Sequence, residues 1–157
     1  MRWISLLGWL ALCFSVAGFS GMWTAKEIPT WYSTLRRPAI APPNWIFGPV
    51  WTCLYALMAI SAWLISQAPS TPARTLALAL FLMQLALNFV WSWLFFHLHW
   101  MGVAVAENVL LWALIGATIA AFDRLSHVAA WLLAPYILWV SFAIVLNFEF
   151  WRKNQKN

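Results

Sequence analysis

Residues 31–58 read WYSTLRRPAIAPPNWIFGPVWTCLYALM, and the interpretation of the rest of the chain depends on this stretch. Its first part, up to residue 43, contains three prolines and two adjacent arginines. Proline lacks the amide hydrogen that a helix needs, and arginine is costly in hydrocarbon, so this part is not a membrane-spanning helix. From Asn44 onward the stretch is apolar apart from Pro49, which is tolerated near a helix start. We therefore predict an ordered, basic loop that leads directly into a membrane helix.

The composition is that of an integral membrane protein. Hydrophobic residues make up 64% of the 157 residues and charged residues 8%, far from the balance of a soluble domain. Fourteen residues are tryptophan, whose ring suits membrane interfaces and ligand cavities because it combines an apolar body with one hydrogen-bond donor. The net charge of +5 comes mostly from residues at span ends and does not indicate nucleic-acid binding. We predict one membrane domain over residues 1–157, in contact with lipid.

Five segments are apolar and long enough to cross a bilayer as helices. None shows the alternation of a membrane β-strand, so an all-α bundle of five transmembrane helices is predicted. The first segment also has features of a secretory signal peptide, but its length favours a retained span and no cleavage is expected. In it, Gly18 and Gly21 share a face and predict a close approach by a neighbouring helix. The predicted spans are 3–23, 44–66, 75–96, 101–122 and 128–150, with a long loop at 26–43.

The basic residues predict the orientation in the membrane. An odd number of spans places the two termini on opposite sides. Six Lys and Arg residues lie on the side of the first loop and the C-terminus, and three lie on the other side. Because cytoplasmic loops carry the excess of basic residues, the first loop and the C-terminus are predicted to be cytoplasmic and the N-terminus to lie outside. The six are Lys26, Arg36, Arg37, Arg152, Lys153 and Lys156; the three are Arg2, Arg74 and Arg124.

Several motifs, in order along the chain, carry a family resemblance. A WY pair at residues 31–32 and the PP pair at 42–43 are followed by WIFGPVWTCLY at 45–55. Later come LNFVW at 87–91, MG at 101–102, PYILW at 135–139 and LNFE at 146–149. Together they resemble the TspO / translocator protein family, the tryptophan-rich sensory proteins, over essentially the whole chain.

The resemblance implies a five-helix membrane bundle, usually a homodimer, that binds porphyrin or haem and requires no cofactor. It implies a bacterial inner membrane as the default location. Some bacterial members are reported to degrade porphyrin in light. Two positions depart from the family pattern: Ile40 stands where tryptophan is common, and Phe148 stands where a sterol-recognition pattern has tyrosine. The first departure bears on the lid contacts, and the second weakens the case for sterol binding.

Three stripes at helical spacing predict a ligand pocket. Trp51, Tyr55 and Met58 form one stripe, and residues 84, 88, 91 and 95 form a second, with residues 139, 143 and 146 in the third. Aromatic walls with a few convergent polar groups are typical of small-molecule sites, although spacing alone also allows a packed aromatic core in which Asn88 bonds across helices. The resemblance favours the pocket. The predicted ligand-binding residues are Tyr32, Trp51, Tyr55, Gln84, Asn88, Trp91, Trp139, Ala143 and Leu146.

The first loop is predicted to cap the cytoplasmic mouth of this pocket, because its prolines and aromatic residues restrict its conformations. Its arginines, together with Tyr32, lie where porphyrin propionates would reach the wet end, although arginines at this edge also act as topology anchors. The predicted lid residues are Trp31, Arg36, Arg37, Pro38, Pro42 and Pro43.

Three functions follow from these features. The first is a tetrapyrrole-binding membrane protein that transports, senses or regulates porphyrins. The second is a light- and oxygen-dependent porphyrin-degrading enzyme, for which the resemblance implies Trp51 and Trp139 as the reactive pair. The third is a small ion-coupled transporter using Glu107 and Asn88, although inverted repeats are not evident. The sequence shows no hydrolytic constellation and no metal-ligand spacing, so no metal site is predicted.

Overall fold

A computed structural model describes residues 2–155, and within this range every regular element is a helix. Five helical segments are long and apolar enough to span a membrane, which confirms the predicted five-helix bundle. Lys156, one of the six basic residues used to predict orientation, lies outside the described residues. The α-helices are α1 (Arg2–Glu27), α2 (Phe47–Ser66), α3 (Pro72–Ser92), α4 (Met101–Asp123), α5 (His127–Leu132) and α6 (Ala134–Asn154).

The first span continues further than the sequence predicted. Helix α1 runs to Glu27 and is extended by a π-helical turn, Ile28–Tyr32, and two further helical residues, so the irregular part of the first loop begins at residue 35. The sequence predicted that the loop starts at residue 26, and Lys26, Glu27 and Pro29 are indeed poor residues for a membrane span. Pro29 stands at the start of the π-helical turn, where its missing amide hydrogen leaves few bonds unmade.

The other helix ends follow local sequence signals. Thr71 caps α3, its hydroxyl accepting from the Arg74 amide at 3.2 Å, and Pro72 takes the first helical position. A π-helical turn, Trp93–His97, extends α3 beyond the predicted residue 96. The fifth span is divided at Leu133 into α5 and α6, because Pro135 has no amide hydrogen to continue the helix.

Among the glycines of the described chain, Gly102 on α4 is the one that a neighbouring helix, α6, approaches most closely. A β-carbon placed on Gly102 of α4 would lie 2.9 Å from the indole nitrogen of Trp151 on α6. Further along the same pair of helices, the Trp112 indole donates a hydrogen bond to the Ser141 hydroxyl at 2.8 Å. We call this contact the α4–α6 seam. It holds two of the five spans at a fixed separation.

The first loop is bound to the rest of the bundle at its own end. The Arg36 amide donates to Asn154 Oδ1 at 3.0 Å, and Asn154 Nδ2 donates back to the Arg36 carbonyl at 3.3 Å. Trp31 stacks on His99 in the α3–α4 turn, with ring centroids 3.9 Å apart. The loop and the C-terminal helix therefore share one end of the bundle, as five spans require. That this end is cytoplasmic stays a prediction from the basic residues.

Candidate functional site

A cavity of about 490 Å³ lies inside the half of the bundle nearest the first loop. Helices α1, α2, α3 and α6 supply its walls, and the π-helical turns after α1 and α3 close part of its end. Its lining is mainly aromatic and aliphatic, with a few amide and hydroxyl groups. Among the described residues that line it there is no Lys, Arg, His, Asp or Glu side chain. A cavity of this volume and character is typical of a small-molecule site.

The structure brings together eight of the nine residues predicted to bind ligand. Gln84 is the exception: it is fully buried one turn deeper on α3, and it does not line the cavity. Periodicity placed Gln84 and Asn88 on one face correctly, but it carries no information on how deep a cavity extends. The residues that line it are Tyr32, Trp51, Tyr55, Asn88, Trp91, Trp139, Ala143 and Leu146.

A chain of hydrogen bonds passes behind the cavity wall and joins three helices. The Tyr55 hydroxyl donates to Asn88 Oδ1 at 2.6 Å, and Asn88 Nδ2 donates to the Tyr136 oxygen at 2.8 Å. The Tyr136 hydroxyl in turn donates to Gln84 Oε1 at 2.8 Å. The interhelical bonding that the sequence offered as an alternative to a pocket therefore occurs beside the pocket. Asn88 presents its surface to the cavity while both its polar atoms are occupied by tyrosines.

Three other polar side chains on the wall, those of Ser20, Trp91 and Asn147, have buried atoms without a hydrogen-bond partner within residues 2–155. Both the nitrogen and the oxygen of the Asn147 side chain lack one, and Asn147 is only 3% exposed. The Trp91 indole nitrogen is in the same situation. A buried polar atom without a partner costs free energy, so such groups usually meet water or a ligand. These atoms have almost no accessible surface, so they lie just beneath the cavity surface rather than on it.

Helix α1 forms a wall that the sequence did not reveal. Its contribution consists mostly of small or weakly polar side chains, among them Ala17, Ser20, Gly21 and Thr24. Small residues carry no aromatic or amide signal, so nothing marked them as cavity residues. Ser20 and Thr24 stand four residues apart in an otherwise apolar span, and that spacing was the available hint.

The predicted lid residues lie at the loop end and do not line the cavity. The Arg37 guanidinium donates to Asn44 Oδ1 at 3.0 Å and to the Pro42 carbonyl at 2.8 Å. Its Cζ lies 6.0 Å from the centroid of the Tyr32 ring, which does line the cavity. Of the remaining residues, Pro38 is buried, Pro42 is half-buried, and Arg36 and Pro43 are exposed.

The two tryptophans named for photochemistry both lie on the cavity wall, half-buried. Trp51 lies against Tyr55 and Tyr136, with ring centroids 5.6 and 6.4 Å away. Trp139 packs against Phe47 at 6.0 Å. Each indole is thus held by aromatic neighbours on one side while the cavity lies on another, which is the arrangement that ring stacking with a ligand requires.

The acidic residues of the spans lie away from the cavity. Neither oxygen of Glu107 is solvent-accessible or has a hydrogen-bond partner in residues 2–155, and Glu107 does not line the cavity. Glu149 forms an ion pair with Arg152 at 2.7 Å. In the described part of the chain, no group of three or more His, Cys, Asp and Glu side chains is arranged to hold a metal ion.

Comparison with known proteins gives consistent results. A family profile described as the TspO/MBR family matches residues 9–152. A translocator protein of Bos taurus is 36% identical over 156 residues, covering 98% of this chain and 92% of the relative. The tryptophan-rich protein TspO of Chlorobaculum tepidum is 39% identical over 147 residues, 92% of each chain. A tryptophan-rich sensory protein of Cereibacter sphaeroides is 36% identical over 154 residues, 98% of this chain and 94% of the relative.

Proposed function

Because the chain belongs to the TspO/MBR family of membrane proteins, we propose that its central cavity binds a porphyrin or haem and that the protein transports, senses or regulates such tetrapyrroles. The observation that carries the proposal is the cavity itself, with aromatic residues on several walls around a space of about 490 Å³. A solid aromatic core would have left no such space.

The chemistry of the wall suits a flat aromatic ring system. Trp51, Trp91 and Trp139 offer indole faces, and each stacking contact contributes about 0.5–1.5 kcal/mol beyond the area buried. A small rotation of the Trp91 or Asn147 side chain would bring its unpartnered donor to the cavity surface, where it could bond an acceptor atom of the occupant. Charged propionates have no cation in the cavity, so they extend toward the loop end, where Arg37 lies beside Tyr32.

Binding is tested by titrating the purified protein with protoporphyrin and with haem and following quenching of its tryptophan fluorescence. In Ala143→Phe, a ring replaces a methyl group on the cavity wall, and affinity should fall at least about tenfold. The matched control is Ala106→Phe on the exposed face of α4, which should bind as the wild type does. Unchanged affinity in the Ala143 variant would place the ligand elsewhere.

A second candidate function is light-dependent degradation of the bound porphyrin. It is favoured by the positions of Trp51 and Trp139, which both border the cavity and so lie within reach of a stacked ring. The excited porphyrin would exchange an electron with an indole, and molecular oxygen would serve as the oxidant. Illumination of the porphyrin complex in air should then bleach the Soret band. If the double variant Trp51→Phe, Trp139→Phe bleaches as fast as the wild type, the enzymatic role is excluded while binding stands.

The ion-coupled transporter has less support. Glu107 does not border the cavity, and both polar atoms of Asn88 are already bonded to tyrosines. An ion path through these two residues would require Asn88 to release those bonds. Flux of porphyrin in liposomes that is lost in Glu107→Gln would revive this function.

A further inference from the structure

The cavity is open on one side, which we call its mouth. The residues that both line the cavity and are exposed show where this mouth lies. Residues deep in a cavity are buried, whereas residues at its mouth are both lining and exposed. Six lining residues are exposed, and all of them belong to α1 or to the first turns of the second span. Those contributed by α3, α6 and the two π-helical turns are buried or half-buried. The six are Phe14, Gly21, Ala25, Trp45, Gly48 and Thr52.

Two of the residues at this mouth are glycines, Gly21 on α1 and Gly48 on α2. Helices α1 and α2 are antiparallel and touch at their far ends, where Trp3 stacks on Trp63 and the Gln67 side chain donates to the Ser5 hydroxyl. Continuing that register toward the loop brings Gly21 level with Gly48. A β-carbon placed on either glycine would meet no described atom within 4 Å outside its own local helix. Both glycines line the cavity and are exposed, so the mouth opens between α1 and the start of α2 at this level, which we call the gap between α1 and α2.

The loop end of the cavity is closed by comparison. No residue from 33 to 43 lines the cavity. The segment is bound through Asn154, and Tyr32 is 5% exposed beneath it, packed against Phe96 and Phe150. A ligand that entered from water at this end would have to displace these contacts, whereas the exposed lining residues all lie on α1 and at the start of the second span.

We propose that the gap between α1 and α2 is a lateral doorway through which the ligand enters the cavity directly from the hydrocarbon of the bilayer. The inference rests on the proposed function, since it assumes that the cavity binds a tetrapyrrole. It adds that the ligand is taken from the pool dissolved in the membrane, so the ligand class is planar, largely apolar and lipid-partitioning. Within residues 3–154, the first span is also the least buried of the five, which leaves it free to move aside.

Leucine at the doorway tests the route. Gly21→Leu with Thr52→Leu narrows the gap, because both residues line the cavity and are exposed; Gly48 is left unchanged because a β-carbon in helical conformation before Pro49 would meet the proline ring. In nanodiscs, stopped-flow tryptophan quenching by protoporphyrin should show slower association, by about tenfold, and slower dissociation as well. The sign of the change in dissociation is decisive, since a damaged binding site releases ligand faster. Gly18→Leu is the matched control: it lies on the same helix, is equally open, does not line the cavity, and should leave both rates unchanged.

A second measurement compares the two possible entrances. Pro42→Gly with Pro43→Gly loosens the first loop, and if the doorway is the route this variant should exchange ligand at the wild-type rate. Faster exchange in the loop variant, or wild-type rates in the double leucine variant, would overturn the doorway. An absence of any quenching in the wild-type protein would instead contradict the proposed function, so the two failures are distinguishable.

Discussion

Gly102 and Gly21 lie at helix contacts near the same end of the bundle, yet their surroundings are opposite. A β-carbon on Gly102 would lie 2.9 Å from Trp151, whereas one on Gly21 would meet no described atom within 4 Å beyond its own helix. At the α4–α6 seam, glycine permits the close approach of a neighbouring helix. At the mouth of the cavity, Gly21 and Gly48 border open space instead. Glycine therefore allows close packing at one position and leaves open space at the other. Only the position of the neighbouring helix distinguishes the two cases.

The largest effect is expected when Gly102, the glycine at the α4–α6 seam, is replaced by a larger residue. Gly102→Leu inserts a branched side chain where even a β-carbon meets the Trp151 ring, and overpacking of this kind should lower the free energy of unfolding by about 3 kcal/mol. Reversible unfolding with sodium dodecyl sulfate in mixed micelles measures the change.

Gly8→Leu is the control for that variant, because a β-carbon placed on Gly8 would meet no described atom within 4 Å outside its own local helix, and the change should be tolerated. Adding Trp151→Ala to Gly102→Leu removes the ring and should restore part of the loss. Wild-type stability of Gly102→Leu on its own would show that the seam is not tightly packed.

The next largest effect concerns the hydrogen bonds that Asn88 makes with tyrosines on α2 and α6. Asn88→Leu leaves the Tyr55 hydroxyl without its acceptor and removes the donor to Tyr136, and it should cost about 1–2 kcal/mol of stability. Asn147→Leu is matched in chemistry and burial but has no protein partner to lose within the described residues, so its stability should equal or exceed that of the wild type. Equal losses in the two variants would mean that the tyrosine bonds contribute nothing measurable.

A smaller effect is expected where the loop is bound to α6. Asn154→Ala removes the two bonds to the Arg36 backbone and should favour local opening by about 1 kcal/mol, which is about a fivefold increase in trypsin cleavage after Arg36. Lys153→Ala, an exposed neighbour, is the control. If cleavage is unchanged in the Asn154 variant, other contacts hold the loop in place.

The sequence predicted the cavity residues on α2, α3 and α6 better than those on α1. Trp51, Asn88 and Trp139 carry strong signals, because aromatic rings and an amide in a membrane span indicate an interior position. The five spans could also be predicted, from hydropathy alone. The end of α1 could not be predicted, because Pro29 and two charged residues resemble a loop in the sequence, although the chain continues as a π-helical turn.

The α1 side of the cavity could not be predicted, because it depends on distances between helices, which no local sequence pattern encodes. The close helix approach predicted at Gly18 and Gly21 is not made by another helix of the same chain, because a β-carbon on either glycine would meet no described atom within 4 Å outside its own local helix. Small residues on a transmembrane face are compatible with either outcome. For the same reason, Ala17 and Thr24 on the α1 wall gave no sign that a cavity lies beside them.

The smallest effect has the opposite sign and tests the open side directly. Gly21→Ala should stabilise the protein by about 0.5–1 kcal/mol, because alanine restricts the helix backbone more than glycine and its methyl group meets no neighbour. The same substitution at Gly102 should destabilise, so detergent unfolding of the two alanine variants gives a contrast of sign that is independent of the exact magnitudes. If Gly21→Ala were instead destabilising, α1 and α2 would pack closely at this level in the folded protein. The gap between them would then be filled, and neither the contrast between the two helix contacts nor a route from the lipid into the cavity would hold.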